Sequence, residues 1–387
     1  MAQTSHSPAG KPRRLWFKLT LAVLLTLLFA EVAVRVYEAR TGKDLAVDLD
    51  AVFRQSESLY RPHPYIGFVP RPGAASKPGM LWTYEVNSLG FRGAEMDAEK
   101  PPRTFRVACL GGSTTWGVGA TTTAGTWPAQ LQRMLQERLP PGSPYDRVEA
   151  INAGTSGYTL MESFVNFKMR VAPLEPDLVV VYHAVNDARV IGIKGFKPDY
   201  THVRSQYTVP LPTAWDVVFR WSHLYGLLRR QFGVGRSTIY DFAYKTAPEE
   251  LPMSDRVEIG LPTFIRTLSE LVAVARVNGA EVVLTTFAYA PEKPVSNNLQ
   301  AWLRKFGFKL VDSVNAATAG VAERQGAMLV DLAGRIDGDA SLFTDPVHLT
   351  DQGNRVIASE LADAVVASGL LAGPRAPGPI RPIDTGR

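Results

Sequence analysis

The stretch FRVACLGGSTTWGVG, residues 105–119, joins an apolar run to a turn rich in glycine and hydroxyl side chains. FRVACL has the length and apolar character of a buried strand. Two glycines and a serine follow where the strand should end, which is typical of a tight turn leading into a helix. The stretch therefore predicts the first β–turn–α unit of an α/β domain. On its own it leaves open whether Ser113 is chemically active or only part of the turn.

Four more apolar segments follow in alternation with helical patterns. The predicted strands are RVEAIN (147–152), DLVVVYH (177–183), EVVLTTF (281–287) and AMLVDL (327–332). One helix is predicted to open with Thr126 as its cap and Pro128 in its first turn. Others are predicted over 261–280, ending near Gly279, around Leu310 to Val321, and over 354–369. Five strands alternating with helices predict a three-layer α/β/α sandwich around a five-stranded parallel sheet.

Composition places the chain among globular proteins. Its 387 residues are 45% hydrophobic and 20% charged, with a net charge of +5. Apart from the N-terminal KPRR, the basic residues are scattered, which argues against a nucleic-acid-binding stripe. Cys109 is the single cysteine, so no internal disulfide forms, and its place in an apolar strand predicts a buried, inert thiol.

The N-terminus has the pattern of a membrane anchor. We predict a cytoplasmic tail over 1–14 and a transmembrane signal-anchor over 15–37, because basic residues precede an apolar run that Lys18 can extend by snorkelling. A cleaved signal peptide is the first alternative, although the exit AEVAVR lacks the small-x-small pattern of a cleavage site. A buried helix of a cytosolic protein is the second. The flanking positive charges predict that the rest of the chain is extracytoplasmic.

The remaining segments are assigned by pattern. Residues 38–103 are predicted to be a lead-in of short extended pieces that packs on the main domain, which covers 104–372 with an insertion at about 190–260. Residues 373–387 are predicted to be a disordered tail. Within the insertion, Trp215, Trp221 and Tyr225 are expected to pack its interior, with a sugar or acyl platform as the alternative. Arg229 and Arg230 are expected on a solvated face.

The turn GGSTT fits none of three better-known motifs. Val118 stands where a Walker A loop needs lysine, the third glycine of a dinucleotide fingerprint is missing, and Thr115 replaces the last glycine of a nucleophile elbow. What remains is a serine on a glycine-flanked turn. A nucleophilic serine needs a base within hydrogen-bond reach and a group that orients the base.

The stretch DPVHLT supplies a candidate base and orienter. Asp345 and His348 lie on the loop after the fifth strand, at the same sheet edge as Ser113. The alternative interpretation is a helix cap beside a surface histidine. Loops after the second and third strands add candidate donors for an oxyanion, namely the backbone N–H of Gly154 and the side-chain amide of Asn186, and the N–H of Ser113 is a third. His183 and Asp187 are interpreted as structural.

Four short motifs follow one another in the sequence, namely GGS, the Asn152-x-Gly154 pair, the Asn186–Asp187 pair and D-x-x-H. In this order they make the sequence resemble the SGNH or GDSL-type hydrolases over about 104–370. The resemblance implies a flavodoxin-like sandwich and the hydrolysis of acyl esters. It also implies Ser113 as nucleophile, His348 as base, Asp345 as orienter, and Gly154 and Asn186 as oxyanion donors. Gly112 departs from the family's aspartate, and Ala184 departs from a family glycine. Neither change removes a group that the chemistry needs.

We therefore expect a membrane-anchored serine esterase that acts on an acyl or acetyl ester of a lipid or a cell-envelope glycan. An O-acyltransferase that serves an extracytoplasmic polysaccharide, supplied by a membrane-embedded acyl donor protein, is the alternative. An inactive, tethered binding module is the third hypothesis. The histidines lack ligand-like spacing, so neither a metal nor another cofactor is expected. Nucleic acid is not expected as a partner.

Overall fold

The computed structural model describes residues 11–45, 59–76, 82–192, 195–201, 204–210, 213–232, 236–242, 257–294, 307–373 and 378–383. The chain divides into two compact units. The smaller comprises Met1–Ser58 and Thr208–Thr238, and the larger comprises Leu59–Tyr207 and Ile239–Arg387.

The larger unit is organised by a five-stranded parallel sheet whose strands, from one edge to the other, are Arg147–Asn152, Thr104–Gly111, Leu178–Tyr182, Glu281–Thr285 and Met328–Val330. This is the flavodoxin-like order, in which the first strand lies between the second and the third. The predicted fold class is confirmed, and each predicted strand is present. In chain order, the strands among the described residues are β1 (Tyr60–His63), β2 (Gly67–Pro70), β3 (Thr104–Gly111), β4 (Arg147–Asn152), β5 (Leu178–Tyr182), β6 (Arg204–Pro210), β7 (Arg236–Phe242), β8 (Glu281–Thr285) and β9 (Met328–Val330).

Helices cover both faces of this sheet, as the fully buried strands β3 and β5 require. One group pairs the helix Trp127–Glu137 with Asp351–Ser368, and the other packs Val257–Val277 against Leu160–Asn166, Val185–Ile191 and Phe308–Gln325. In the part of the chain that the structure describes, the α-helices are α1 (Lys11–Thr41), α2 (Ser113–Trp116), α3 (Trp127–Glu137), α4 (Leu160–Asn166), α5 (Val185–Ile191), α6 (Ala214–Val218), α7 (His223–Phe232), α8 (Val257–Val277), α9 (Phe308–Gln325), α10 (Ala333–Ile336) and α11 (Asp351–Ser368).

Two helix starts differ from the predictions. Helix α8 begins at Val257, four residues before the predicted start, and α11 begins at Asp351 with Thr350 as its cap. Thr126 precedes α3 as predicted, but its hydroxyl donates to the carbonyl of Thr123 and does not cap the helix. The side chain of Asn354 takes that role instead, since its Oδ1 accepts the N–H of Trp127 at 2.9 Å. The cap comes from a helix more than 200 residues away, which no local pattern reveals.

The lead-in packs on the sheet, and a buried arginine connects the two. Arg106 of β3 is 0% exposed and pairs with Glu149 of β4 at 2.7 Å. Its guanidinium also donates to the carbonyls of Asp97, in the lead-in, and of Leu174, ahead of β5. One side chain therefore connects two strands, the lead-in and the turn before a third strand. The part of the predicted lead-in over 46–58 and 77–81 lies outside the described residues.

The predicted disorder of the C-terminal tail is wrong for residues 378–383. Gly378 donates to Glu281, Arg276 donates to the carbonyl of Pro379, and Gln325 donates to that of Pro382. Proline and glycine content suggested disorder, but an extended proline-rich strand can still supply backbone carbonyls to neighbouring donors. Residues 374–377 and 384–387 lie outside the described residues.

Among its described residues, the smaller unit contains α1, the helical pair α6–α7, the end of β6 and the start of β7. Helix α1 is longer than the predicted span 15–37, and its 28-residue part Arg14–Thr41 is long and apolar enough to cross a membrane. Nearly all of its side chains are exposed. The predicted packing of Trp215 and Trp221 inside the insertion is wrong, because both are exposed, and the predicted exposure of Arg229 is wrong, because it is buried. Arg230 is exposed as predicted.

We predict that Arg106→Met destabilises the larger unit by about 3–5 kcal/mol, because it leaves the buried carboxylate of Glu149 without its partner. Urea unfolding of the detergent-solubilised chain, followed by circular dichroism, measures this. Arg103→Ala is the matched control, since Arg103 pairs with Asp146 on the surface and its loss should change the unfolding midpoint little. An Arg106→Met protein as stable as the wild type would contradict the role given to this pair.

Candidate active site

Ser113 is the first residue of α2, directly after β3. Its side chain is half-buried, and the neighbours Thr114, Thr115 and Trp116 are buried. The carbonyl of Ser113 accepts the N–H groups of Gly117 and Val118, both at 2.9 Å, which closes the short helix beneath the hydroxyl. The backbone N–H of Ser113 lies in the first turn, where a helix offers no internal acceptor. The turn thus presents both a hydroxyl and an N–H at the carboxyl edge of the sheet.

His348 and Asp345 meet this serine. Nε2 of His348 lies 2.8 Å from Oγ of Ser113, and Nδ1 lies 2.6 Å from Oδ2 of Asp345. An ionised carboxylate only accepts hydrogen bonds, so Nδ1 carries the ring proton and Nε2 accepts from the serine hydroxyl. The three side chains that the sequence analysis singled out therefore form one continuous hydrogen-bonded line.

The loop fixes the carboxylate of Asp345 independently of the ring. Oδ1 of Asp345 accepts the backbone N–H groups of Val347 and His348, both at 2.9 Å. Burial acts to raise the pKa of Asp345, but the hydrogen bond and charge of His348, together with these two N–H groups, outweigh it and hold the pKa below its usual value. Asp345 is therefore ionised at neutral pH. The helix-cap interpretation of D-x-x-H is wrong, since Thr350 caps α11.

Two contacts hold the histidine loop against the serine loop. Asp351, at the start of α11, accepts from the backbone N–H of Thr121 at 2.8 Å and from the hydroxyl of the same residue. Asn354 accepts the N–H of Trp127. Both contacts lie within one or two turns of His348 along the chain. They explain how residues 235 positions apart come within hydrogen-bond distance.

The amide of Asn186 lies against the glycine that precedes the serine. A Cβ built on Gly112 would stand 2.8 Å from Nδ2 of Asn186. The absence of a side chain at position 112 thus allows the amide to approach the peptide beside Ser113. One N–H of this amide donates to the carbonyl of Tyr158 at 2.8 Å, which orients the group. A primary amide has two N–H bonds, so a second donor remains on this side chain.

Gly154 does not offer the N–H that the sequence analysis assigned to it. Its N–H donates to Oδ1 of Asn152 at 3.1 Å in a buried position. Gly157, in the same loop, is half-buried and has a φ of +86°, in the centre of a turn closed from Tyr158 N–H to Thr155 C=O. Among the described residues, the N–H of Gly157 has no hydrogen-bond acceptor. The Ser156–Gly157 dipeptide, typical of turns, was the available signal.

The lead-in contacts two of the loops at this edge, a role that sequence analysis missed. Buried Arg92 donates to the carbonyls of Trp116 and Gly117 at 2.9 and 3.1 Å and lies over the Trp116 ring. Burial lowers the pKa of Arg92 to about 10, so it stays charged at neutral pH. Phe68 accepts from the hydroxyl of Tyr158 at 2.5 Å. The lead-in therefore holds the end of α2 and the loop after β4.

His183 and Asp187 are structural, as interpreted from the sequence. The ring of His183 is buried, 2.8 Å from the hydroxyl of Ser163 and 3.3 Å from the carboxylate of Asp187. Asp187 also accepts the N–H of Leu160, the first residue of α4, at 2.9 Å. These two side chains connect α5 with α4.

Comparison with solved structures finds similar folds at low identity. The chain is 19% identical to LAE5, an α/β hydrolase from the metagenome of Lake Arreo, Spain, with 71% of this chain and 98% of that one covered at a TM-score of 0.40. It is 14% identical to the lipase/acylhydrolase from Enterococcus faecalis, with 70% of this chain and 98% of that one covered at a TM-score of 0.41. It is 16% identical to the acetylxylan esterase Axe2 from Geobacillus stearothermophilus, with 70% of this chain and 96% of that one covered at a TM-score of 0.39.

The family of the chain follows from a match to a protein-family model. No curated protein sequence matches the chain. The model of the GDSL-like lipase/acylhydrolase family, however, matches residues 109–356, which is more than half of the sequence. The match begins in β3 and ends in α11, so it includes the loops that hold Ser113, Asn186, Asp345 and His348. The chain therefore belongs to the GDSL-like lipase/acylhydrolase family and is an ester-hydrolysing enzyme.

Proposed function

We propose that the protein is a membrane-anchored serine esterase in which Ser113 is the nucleophile, His348 the general base and Asp345 the group that orients the base. The observation that carries the proposal is the line from Ser113 Oγ to His348 Nε2, at 2.8 Å, and from His348 Nδ1 to Asp345 Oδ2, at 2.6 Å. A hydroxyl is a weak nucleophile, and a neighbouring imidazole that accepts its proton makes it reactive.

In the first half of the reaction, Oγ of Ser113 attacks the ester carbonyl while Nε2 of His348 takes the hydroxyl proton. The carboxylate of Asp345 stabilises the imidazolium that forms. The tetrahedral intermediate then collapses as Nε2 returns the proton to the oxygen of the leaving alcohol. The products of this half are a free alcohol and an acyl group bound to Ser113.

Three donors are placed to stabilise the negative charge on the carbonyl oxygen. We assign them to the backbone N–H of Ser113, the side-chain amide of Asn186 and the N–H of Gly157, which replaces Gly154 in this role. The assignment of Gly157 is supported by its loop position, since Tyr158, the next residue, accepts from Asn186 through its carbonyl. Donors aimed at a developing oxyanion are worth several kcal/mol in acyl-transfer enzymes.

In the second half, a water molecule attacks the acyl group on Ser113 while His348 again takes a proton. As the bond between the acyl carbon and Oγ of Ser113 breaks, Nε2 of His348 returns the proton to Oγ, and the free acid leaves. We propose an acyl or acetyl ester of a lipid or a cell-envelope glycan as the substrate, because α1 would hold the enzyme at a membrane. The basic residues at the start of α1, namely Lys11, Arg13 and Arg14, favour a cytoplasmic N-terminus and an extracytoplasmic catalytic domain.

Ser113→Ala should lower kcat/KM for short acyl esters by about 10⁴-fold or more, since the members of a triad act as a unit. Wild type and the variant are compared with a chromogenic acetyl ester and with a fluorophosphonate probe, which should label only the wild type. Labelling of Ser113→Ala at the wild-type level would refute Ser113 as the nucleophile. When an acetylated donor and a glycan acceptor are supplied together, we expect free acetate; acetate attached to the glycan would identify a transferase.

Asp345→Asn should lower kcat by about 10²–10⁴-fold, because an amide cannot stabilise the imidazolium as a carboxylate does. The asparagine oxygen can still accept from the backbone of Val347 and His348, so thermal unfolding should change little. Asp339→Asn is the matched control, since Asp339 accepts from Ser341 in a loop close to Asp345 in the chain and, among the described residues, has no hydrogen bond or ion pair with a histidine. Equal activity of the two variants would contradict the role of Asp345.

Asn186→Ala should lower kcat by about 10²–10³-fold with a smaller change in KM, the expected effect of removing one oxyanion donor. Asn186→Asp, which keeps the size of the side chain but replaces a donor with a negative charge, should be slower still. Steady-state kinetics on one ester tests both. If the aspartate variant retained full activity, Asn186 would have no part in stabilising the oxyanion.

A further inference from the structure

In the α6–α7 pair of the smaller unit, charged side chains are buried and large apolar side chains are exposed, which is the opposite of an ordinary surface helix. Asp216 of α6 is 0% exposed, whereas its neighbours Trp215 and Val217 are 64% and 67% exposed. In a helix that faces water, the carboxylate would lie outside and the apolar side chains inside. Other large apolar side chains of this pair are also exposed, namely Val218, Phe219, Trp221, Leu228 and Phe232.

The buried polar groups of the pair have partners. The carboxylate of Asp216 forms an ion pair with the guanidinium of Arg229 of α7, with N–O distances of 2.8 and 2.9 Å. It also accepts hydrogen bonds from the hydroxyl of Tyr225 at 2.8 Å and from the N–H of Thr213 at 2.7 Å. Arg229 itself is buried. Paired charges at the centre of a helical pair, with apolar side chains around them, are the arrangement that a low-dielectric surrounding requires.

The pair is attached to α1 by a second buried carboxylate. Glu31 accepts the N–H groups of His223 and Leu224, at 3.0 and 2.8 Å, and the hydroxyl of Ser222, at 2.8 Å. It thereby satisfies the free N–H groups at the start of α7, and Arg35 balances its charge at 2.7 Å. The N-terminus of α7 is therefore fixed at the level of Glu31 on α1.

A groove of about 420 Å³ lies between α1 and the pair. Leu24, Leu27 and Leu28 line it on α1, and Phe219, Trp221 and Leu228 line it on the other side. The three leucines belong to the charge-free run Leu19–Ala30. Leu24 lies seven residues before Glu31, about 10 Å along the helix axis. The aromatic side of the groove therefore lies at the same level along the axis of α1 as the apolar run of that helix.

We propose that α6 and α7 form a monotopic, lipid-facing element, embedded in the membrane surface beside α1, whose groove takes an acyl chain of a bilayer lipid. The inference rests on the proposal that α1 spans the membrane. The occupant is lipid because α1 itself provides one wall of the groove and the exposed apolar side chains of the pair continue from that wall. Exposed tryptophans are typical of the membrane–water interface, and helices with an apolar outer surface lie in its plane.

Single-cysteine probes test the proposal on the full-length chain. Cys109, the one native cysteine, is buried, so an added surface cysteine can be labelled selectively with a thiol-reactive NBD dye. Val217→Cys in α6 and Val277→Cys at the end of α8 form a matched pair, because the two valines are 67% and 68% exposed. Val23→Cys in α1 reports whether the anchor is inserted, and Val218→Cys gives a second position in α6.

The labelled variants are reconstituted into vesicles of phosphatidylcholine and phosphatidylglycerol, with and without phosphatidylcholine that carries a doxyl quencher on its acyl chain. We expect the dye at 217 and 218 to emit to the blue and to be quenched strongly by doxyl lipid, like the dye at 23. The dye at 277 should keep a water-like spectrum without quenching.

Two results would overturn the proposal. In the first, the dyes at 217 and 218 behave like the dye at 277 while the dye at 23 is quenched, so that the anchor is inserted and the pair is in water. In the second, the dye at 23 is not quenched, which removes the anchor and the lipid-facing pair together. Ester hydrolysis by the same preparations is measured separately, so failure of the serine mechanism is distinguished from either result.

Discussion

The pairing of β3 with β4 on one side and with β5 on the other is the constraint on which the site depends. Parallel strands must end at the same edge, so the loops after β3, β4 and β5 emerge together. These loops carry Ser113, Gly157 and Asn186. Because β3 is buried along its whole length, a slip in its register would disrupt the packing of its side chains on both faces of the sheet. The position of the serine hydroxyl is therefore set by the interior of the sheet.

The histidine loop reaches the same edge by a different route. It follows β9, the outermost strand, and is held by contacts at the start of α11. Asp351 and Asn354 accept N–H groups from Thr121 and Trp127, which belong to the segment just after the serine turn. The lead-in contributes Arg92, whose guanidinium donates a hydrogen bond to the carbonyl of Trp116 at the end of α2. The proposed catalytic line thus connects two loops that the fold has already brought together.

The two units of the protein differ in which kinds of side chain they bury and which they expose. In the larger unit, apolar side chains are inside and the buried pair of Arg106 and Glu149 is an exception within the sheet. In the smaller unit, α6 and α7 bury Asp216 and Arg229 and expose valine and tryptophan. Such a surface is costly in water and favourable against lipid. The difference matches a protein with one part for water and another for a membrane.

The sequence alone determined the sheet, because strand and helix patterns are local and each apolar run had the length of one element. It also singled out Ser113, Asp345 and His348, because the ends of parallel strands must share an edge. Only the tertiary structure decided which donors point outward: the direction of an N–H depends on loop dihedral angles, so Gly154 turned toward Asn152 while Gly157 remained open. Asn354 capping α3 and Arg92 contacting the end of α2 were likewise decided by the tertiary structure, since each partner lies far away in the chain. The exposure of Trp215 in α6 was also visible only in the structure, because it depends on what surrounds the helix.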